Sequence, residues 1–342
     1  MKKLAVQEAL GQTLCHDMTA ILADGFKGVR FRRGHVITEE DIPVLLDMGK
    51  EHIFVWEPEA DEVHEEDAAI ALTQVMAGPG IAYSGPSEGK MTITAQADGL
   101  FQVHSAGLRR INAVPDYTVA CIPGNTPVKA GQKVAGARIV PLVTKRENVD
   151  TAVAIARECA PIFSIKPFQK LKTGVVITGS EVYYGRIQDA FEPILTPKLQ
   201  GYGAEILGFT KCPDDLDKIL AAIAAFRQQG AELILLTGGM SVDPDDLTPT
   251  AIRTLGGEFI TQGVPMQPGN MLTIAYVEGC TLVGVPGASM HSPVTSLEVF
   301  LPRIFAGDKI TKQEIAGYGE GGLCQNCPTC HFPNCSFGRY MP

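Results

Sequence analysis

The sequence predicts a multidomain α/β protein built around a three-layer α/β/α unit near residues 171–307, and three observations lead there. Its 342 residues are more than twice the roughly 150 of an ordinary domain, so two or three compact units are expected. From Leu171 to Phe305, short β-branched or leucine-rich runs alternate with stretches of helical period, as a parallel sheet with crossover helices requires. Several of these runs end in glycine-rich turns, and in an open parallel sheet such ends converge on one crevice.

Composition narrows the function classes. Apolar residues make up 45% of the chain and charged residues 20%, which is ordinary for a globular protein and excludes a disordered one. The 29 basic and 38 acidic residues leave a net charge of −9, which repels polyphosphate and argues against nucleic-acid binding. Apolar runs such as Leu233–Leu236 fall far short of the roughly 20 residues of a membrane-spanning helix, so no membrane association is expected. Gln7, Glu8 and Gln12 interrupt the stretch that an export signal would keep apolar. The expected setting is soluble and cytoplasmic.

Residues 1–70 read as an N-terminal α/β unit. A hairpin-like segment around Phe26–Ile37 precedes a helix signalled by Thr38 and Asp41, with Ile42, Leu45 and Leu46 as its apolar stripe and an end near Gly49. Ile53–Trp56 suits a strand. Residues 71–165 read as a β-rich middle unit: a short helix over 68–76 leads into glycine–proline turns and strands at Met91–Ala95, Leu100–His104 and Thr118–Ile122. A helix over 150–160 follows, and Pro161 and Pro167 mark an extended connection.

In the third unit, Val175–Thr178 is a buried strand closed by Gly179, and residues 188–200 suit a helix. Asp214, Asp215 and Asp217 open another helix, where acidic groups favour the positive end, and Leu216, Ile219, Leu220 and Ile223 recur at helical spacing. Further strands are expected up to Thr237, over 271–276 and up to Val285, with helices near 249–255 and ending near Ile304.

The most informative string is Thr237-Gly238-Gly239-Met240-Ser241-Val242-Asp243-Pro244-Asp245-Asp246-Leu247-Thr248. Its glycines admit a ligand close to the backbone, Ser241 and Thr248 add hydroxyls, and free N–H groups in such a turn suit phosphate. The aspartates carry the opposite charge and would repel an oxyanion unless a divalent cation lay between them, which points to Mg²⁺. No histidine base is implied beside Ser241, so a nucleophilic serine is not expected. His291 is a secondary candidate for the crevice.

This string resembles the strand-end motif of the molybdenum-cofactor biosynthesis and molybdopterin-binding domain family. Thr178-Gly179-Ser180-Glu181 resembles the family's TGDE-type segment, Val264-Pro265-Met266-Gln267-Pro268-Gly269 a further loop, and Val285-Pro286-Gly287 the final PG loop. The resemblance covers about 135 residues, Leu171 to Phe305, and extends weakly to the early segment EALGQTLCHDM, which is similar to the start of the molybdopterin molybdotransferases. It implies a three-layer α/β/α domain, homo-oligomerisation, and a molybdopterin or adenylylated molybdopterin cofactor lying across the carboxyl ends of the sheet. Thr178, Gly179, Ser180, Glu181, Gly238, Gly239, Ser241, Thr248, Pro286 and Gly287 would contact that cofactor, and Asp243 and Asp246 would organise Mg²⁺ and act in catalysis. Two departures stand out. Ser180 occupies the position of an acidic residue, and the Ser-Ala-Met-Asp-Gly-Tyr type of segment expected in a full molybdotransferase is missing. Asp245-Asp246-Leu247-Thr248 also resembles the variant motif of the competence-damage protein family, which implies nucleotide hydrolysis.

The implied function is cofactor binding in molybdenum-cofactor biosynthesis, insertion or delivery to a molybdoenzyme. A Mg²⁺-dependent nucleotide pyrophosphatase and a noncatalytic, redox-responsive cofactor carrier are the alternatives.

Nine cysteines fall into two sets. Five are scattered, but Cys324, Cys327, Cys330 and Cys335 form C-x2-C-x2-C-x4-C inside a tail at 317–342, whose glycines at 317, 319, 321 and 322 suggest a flexible connection. Four close thiols in a reducing compartment point to metal or redox chemistry, and tetrahedral Zn²⁺, a [4Fe–4S] cluster and a tail without bound metal are the alternatives.

Overall fold

A computed structural model describes all residues except 1, 22–24, 57–58, 242, 245 and 340–342. The chain divides into two compact units. One comprises Met1–Ala97, Gln102–Ile122 and Lys129–Ile165; the other comprises Asp98–Phe101, Pro123–Val128 and Lys166–Pro342. Among the described residues, no helix is long and apolar enough to cross a membrane.

Within the first unit, strand Lys2–Ala5 pairs antiparallel with His52–Val55, and Met18–Ile21 forms a hairpin with Lys27–Phe31. Helix Asp41–Asp47 lays Leu45 onto a small core of Val6, Leu14, Ile37 and Ile53. Thr38 does not occupy the N-cap, which falls to Glu40; its N–H and hydroxyl instead both donate to Asp41. A four-stranded antiparallel sheet follows, in the order Ile81–Ser87, Lys90–Ala95, Lys133–Ile139, Tyr117–Cys121. The alternation of buried and exposed residues in Lys90–Ala95 gives that sheet one apolar face. Helices Glu65–Met76, Ser105–Asn112 and Arg146–Glu158 accompany it. The second of these went unread in the sequence because its eight residues offer only Gly107 and Ile111 to the interior.

The second unit is organised by six strands: β1 (Lys172–Thr178), β2 (Glu205–Cys212), β3 (Leu233–Thr237), β4 (Glu258–Gln262), β5 (Thr273–Val277) and β6 (Cys280–Val285). Their order is β2-β1-β3-β6-β5-β4. The first four in that order are mutually parallel, while β5 runs antiparallel to both of its neighbours. β1 and β3 are buried along nearly their whole length, which explains why they read as unbroken apolar runs rather than alternating ones.

Helices α1 (Ser180–Tyr183), α2 (Phe191–Gly201), α3 (Leu216–Gln228), α4 (Thr248–Thr254), α5 (Ser296–Phe305) and α6 (Lys312–Ala316) complete the unit. Two cores result. One gathers Leu195, Leu199, Phe300 and Ile304 with Val175, Leu235 and Val283; the other gathers Ile219, Ile223, Phe226 and Ile252 with Val176, Ile234 and Leu236. Alternate residues of β1 and β3 thus serve different cores, which is what a sheet covered on both faces demands. Each fully buried leucine or isoleucine contributes about 2 kcal/mol of hydrophobic stabilisation. Gly174 is a packing requirement on the α3 side, since a Cβ there would stand 2.4 Å from the Phe226 ring.

Helix α3 starts where Asp215 accepts a hydrogen bond from the Lys218 N–H, as the aspartate-rich sequence anticipated. Helix α5 starts with a reciprocal cap between Thr295 and Glu298. Its buried Arg303 donates to Asp308 at 3.0 Å and Glu314 at 2.7 Å, tying α5 to the segment that leads through α6 into the cysteine-bearing tail.

Candidate functional site at the carboxyl edge of the sheet

Three glycine-bearing turns leave the sheet level with one another. Ile177 is the register partner of Thr237, and Thr237 of Val285. Consequently Thr178-Gly179, Gly238-Gly239 and Pro286-Gly287 emerge side by side from β1, β3 and β6. The chain passes from β1 outward to β2 and then returns to β3 on the other side of β1. That reversal makes the ends of β1 and β3 a topological switch point, where flanking loops diverge and leave a crevice.

The turns are held by hydroxyls and close backbone approach. Thr178 Oγ1 lies 3.0 Å from the Thr237 carbonyl and 3.2 Å from Thr248 Oγ1, which in turn donates to the Gly238 carbonyl at 2.9 Å. Gly238 has φ +80°, and a Cβ on it would stand 2.1 Å from the Thr178 carbonyl oxygen, so only glycine fits. Thr237 Oγ1 is buried at the same strand end and has no hydrogen-bond partner among the described residues.

The loop between Gly239 and Thr248 closes on itself through the Thr248 N–H, which donates to the Gly239 carbonyl. Met240 is buried and fills the space left by Gly284, where a Cβ would meet its Cε at 2.3 Å. Ser241 is exposed. Asp246 N–H donates to the Asp243 carbonyl at 3.0 Å, and the Asp246 carboxylate accepts from the Asp243 N–H at 3.1 Å, so both aspartates belong to one surface turn. Val242 and Asp245 of the same string lie outside the described residues.

Ser180 and Glu181 open α1 directly beyond β1. Ser180 is committed to a reciprocal pair, in which its N–H donates to the Asp214 carboxylate at 2.8 Å and its hydroxyl accepts from the Asp214 N–H at 3.2 Å. Asp214 therefore brings a carboxylate to the position where Ser180 itself lacks one. Sequence reasoning placed Asp214 only at a helix start, and its partner could not be inferred without the β1–β2 register that sets Thr178 beside Cys212. The Glu181 carboxylate folds back over Gly179. Tyr183 and Tyr184, exposed and packed edge to face at 5.1 Å, extend this rim; their adjacency to the Thr178–Glu181 segment was the available signal.

His291 follows the short 3-10 turn Gly287–Met290 and lines a cavity with the four tail cysteines, to whose lining Gly238 and Gly239 do not belong. All four cysteines are unpaired. Among the described residues, no three His, Cys, Asp or Glu side chains converge so as to hold a single metal ion.

Comparison with known proteins agrees with the strand-end motifs. The family described as a probable molybdopterin binding domain matches residues 174–306, the span from β1 to the end of α5. These residues belong to that molybdenum-cofactor biosynthesis family. A domain of unknown function matches residues 3–57. The chain is 29% identical over 193 residues to the molybdopterin molybdenumtransferase of Synechococcus elongatus, a match covering 52% of this chain and 47% of that protein. The Bacillus subtilis protein of the same name is 27% identical over 153 residues, covering 43% and 35%. A CinA-like protein of Mycobacterium avium is 36% identical over 90 residues, covering 26% of this chain and 21% of the relative. The matches thus span less than half of each relative's length. Among solved structures, the tungsten cofactor synthesizing protein MoaB from Pyrococcus furiosus is 21% identical with a TM-score of 0.35, covering 40% of this chain and 94% of that one. The match to the probable molybdopterin binding domain covers one part of this chain, residues 174–306, and the candidate crevice lies within that part.

Proposed function

We propose that this protein binds molybdopterin or adenylylated molybdopterin at the carboxyl ends of β1, β3 and β6 and serves molybdenum-cofactor biosynthesis, insertion or delivery. One observation carries the reading: the glycine-bearing ends of three parallel strands lie level at the switch between β1 and β3. Glycine is compulsory at Gly238, and a Cβ on Gly287 would meet nothing within 4 Å, so backbone approach is open on the β6 side. In this reading Gly238, Gly239 and Ser241 hold the terminal phosphate, Thr248 supports them through its hydrogen bonds to the Gly238 and Gly239 carbonyls, Thr178, Gly179, Ser180 and Glu181 border the ligand, and Pro286 and Gly287 form the facing wall.

Asp243 and Asp246 sit in one exposed turn beside the phosphate-binding loop, and hard carboxylate oxygens fit Mg²⁺. When bound, the ion would supply charge neutralisation for phosphate or molybdate. The rest of the chemistry is orientation of the ligand by fixed backbone dipoles, with no covalent nucleophile. The protein works in the cytoplasm as a homo-oligomer and passes the cofactor to a molybdoenzyme. The CinA-like match favours a second reading, Mg²⁺-dependent hydrolysis of a nucleotide in the same crevice.

Titration of anaerobically purified protein with molybdopterin and adenylylated molybdopterin, with and without Mg²⁺ and with turnover quantified, tests the proposal. Saturable binding with turnover is expected for a processing enzyme, and binding without turnover identifies a carrier. Binding of neither ligand, together with hydrolysis of nucleotide analogues, would replace the leading reading with the second.

A further inference from the structure

Beyond the crevice, the second unit contains a cavity of about 290 Å³ lined by Cys324, Cys327, Cys330 and Cys335 together with His291 and Phe332. One water needs only roughly 10–15 Å³, so the space is far larger than a single ion fills. All four thiols border it, yet no three of the described side chains converge on a point where one ion could sit. A tetrahedral zinc site demands such convergence, with every sulfur about 2.3 Å from one centre. A cubane cluster demands the opposite, because each thiolate binds its own iron and the four ligands must stand apart around a void.

The frame around the void is built rather than loose. Gln267 brackets the first cysteine, its N–H donating to the Gly322 carbonyl at 2.7 Å and its carbonyl accepting from the Cys324 N–H at 2.8 Å. Arg339 donates to the Cys335 carbonyl at 2.6 Å and also to that of Pro333, fixing the last cysteine and bringing a positive charge to the site. Phe332, Phe337 and Val294 supply an apolar lining. The spacing C-x2-C-x2-C-x4-C is one residue longer in its final gap than the bacterial ferredoxin run.

We propose that this cavity holds a [4Fe–4S] cluster, each of the four cysteine sulfurs losing its proton and forming one bond to a separate iron. Two ferrous and two ferric ions with four inorganic sulfides, all from outside, give a core of charge +2 without a separate oxidant, and the four thiol protons pass to solvent. The four thiolates and bridging sulfides make the cluster anionic, and Arg339 beside Cys335 offsets that charge.

The test is anaerobic reconstitution of the full chain with equal amounts of ferrous and ferric iron and with sulfide, in parallel with zinc chloride alone, followed by metal and acid-labile sulfide analysis. The expected result is four iron and four sulfide per chain, an electron paramagnetic resonance signal after dithionite, and protection of the four tail thiols from alkylation. Cys327→Ser and Cys330→Ser, both at exposed positions, should lose that signal, while Cys121→Ser in the first unit keeps it. Circular dichroism of each variant separates loss of the cluster from loss of the fold. Should either variant fail to fold, thiol protection in the unaltered chain decides the matter. One tightly held zinc per chain that iron and sulfide cannot replace, iron bound without sulfide, or no metal uptake would each overturn the proposal.

Discussion

The hydroxyls of Thr178 and Thr248, separated by 70 positions in sequence, stand 3.2 Å apart between the ends of β1 and β3. Each has a carbonyl within reach, that of Thr237 for Thr178 and that of Gly238 for Thr248. Two protons thus serve three contacts. The pair joins the strand end, the glycine turn and the start of α4 into one polar knot, shielded from competing water because both residues are buried.

A double-mutant cycle should detect that knot. Thr248→Val leaves the Gly238 carbonyl without its side-chain donor and should cost about 1–2 kcal/mol, while Thr178→Val should cost about 1 kcal/mol. Because the two hydroxyls share a network, the double variant is expected to fall short of the sum by about 0.5–1 kcal/mol. Urea unfolding of the four proteins measures this directly. Strict additivity would mean that the hydroxyls do not interact.

Gly238→Ala and Gly279→Ala separate backbone strain from collision. Both glycines have φ near +80°, but a Cβ at Gly279 meets nothing within 4 Å, whereas one at Gly238 meets the Thr178 carbonyl at 2.1 Å. Gly279→Ala should therefore cost about 1–2 kcal/mol, the left-handed penalty alone. Gly238→Ala should cost at least ~2 kcal/mol more, since the atom in the way is backbone. It should also weaken pterin binding, which Gly279→Ala leaves intact. Equal destabilisation would show that the β3 turn relaxes freely.

The strand ends were legible in the sequence because glycine, threonine and serine there follow unbroken apolar runs, and the register that levels them is a regular consequence of parallel pairing. The pairing of Thr178 with Thr248 and of Ser180 with Asp214 was not legible, since each joins segments whose proximity depends on which strands are neighbours. The C-x2-C-x2-C-x4-C spacing was equally visible, yet nothing in it separates ligands that converge on one ion from ligands that surround a void. His291 is a secondary candidate for the crevice from its nearness to the PG loop, and beyond the turn at Gly287–Met290 it lines the cysteine cavity. Helix Ser105–Asn112 is not legible for a simpler reason: it is short, and only Gly107 and Ile111 of its eight residues are buried.

Arg303 should be the most costly single residue to remove in α5. Its guanidinium is buried between the carboxylates of Asp308 and Glu314. Partial burial would raise the Glu314 pKa, but the Thr311 N–H and Arg303 donate to its carboxylate and hold it below the usual range. Arg303→Ala leaves both acids without this partner and is expected to destabilise the second unit by about 3–5 kcal/mol. It should also increase hydrogen exchange in α6. A loss below about 1 kcal/mol would mean that the ion pairs contribute no more than surface ones do.

In the first unit, His64 is an acid-sensitive latch. Its Nε2 faces the Cys15 carbonyl at 2.6 Å and its Nδ1 accepts from the Glu66 N–H at 3.2 Å, which fixes the neutral ring as the cap of helix Glu65–Met76. Burial, followed by the field of Arg33, lowers its pKa below the ordinary 6.5. The unfolded chain then binds the proton more readily, so stability is complete above pH 6.5 and declines as pH falls through the interval down to the folded-state value. His64→Gln should flatten part of this decline. His16, lowered by burial and by His64, accounts for a further part. Glu65, raised by burial, acts with opposite sign and cancels in the difference between the two proteins. Urea midpoints at several pH values provide the comparison, and identical slopes would remove His64 from the account.

The cation assignment is testable without disturbing the turn that carries it. Asp246→Ala deletes the acceptor of the Asp243 N–H and would confuse lost charge with a lost turn. Asp246→Asn keeps an oxygen there and removes only the charge. If Mg²⁺ bridges this turn and the ligand phosphate, Asp246→Asn and Asp243→Asn should each reduce the Mg²⁺-dependent part of molybdopterin affinity by about tenfold, equivalent to about 1.4 kcal/mol. Affinity without the ion should hold or rise, since a carboxylate that repelled phosphate has gone. Calorimetric titration with and without Mg²⁺ reads both effects. Unchanged Mg²⁺ dependence in both variants would leave the two aspartates as turn formers only, and phosphate recognition would then rest on the backbone of Gly238 and Gly239 and the hydroxyl of Ser241.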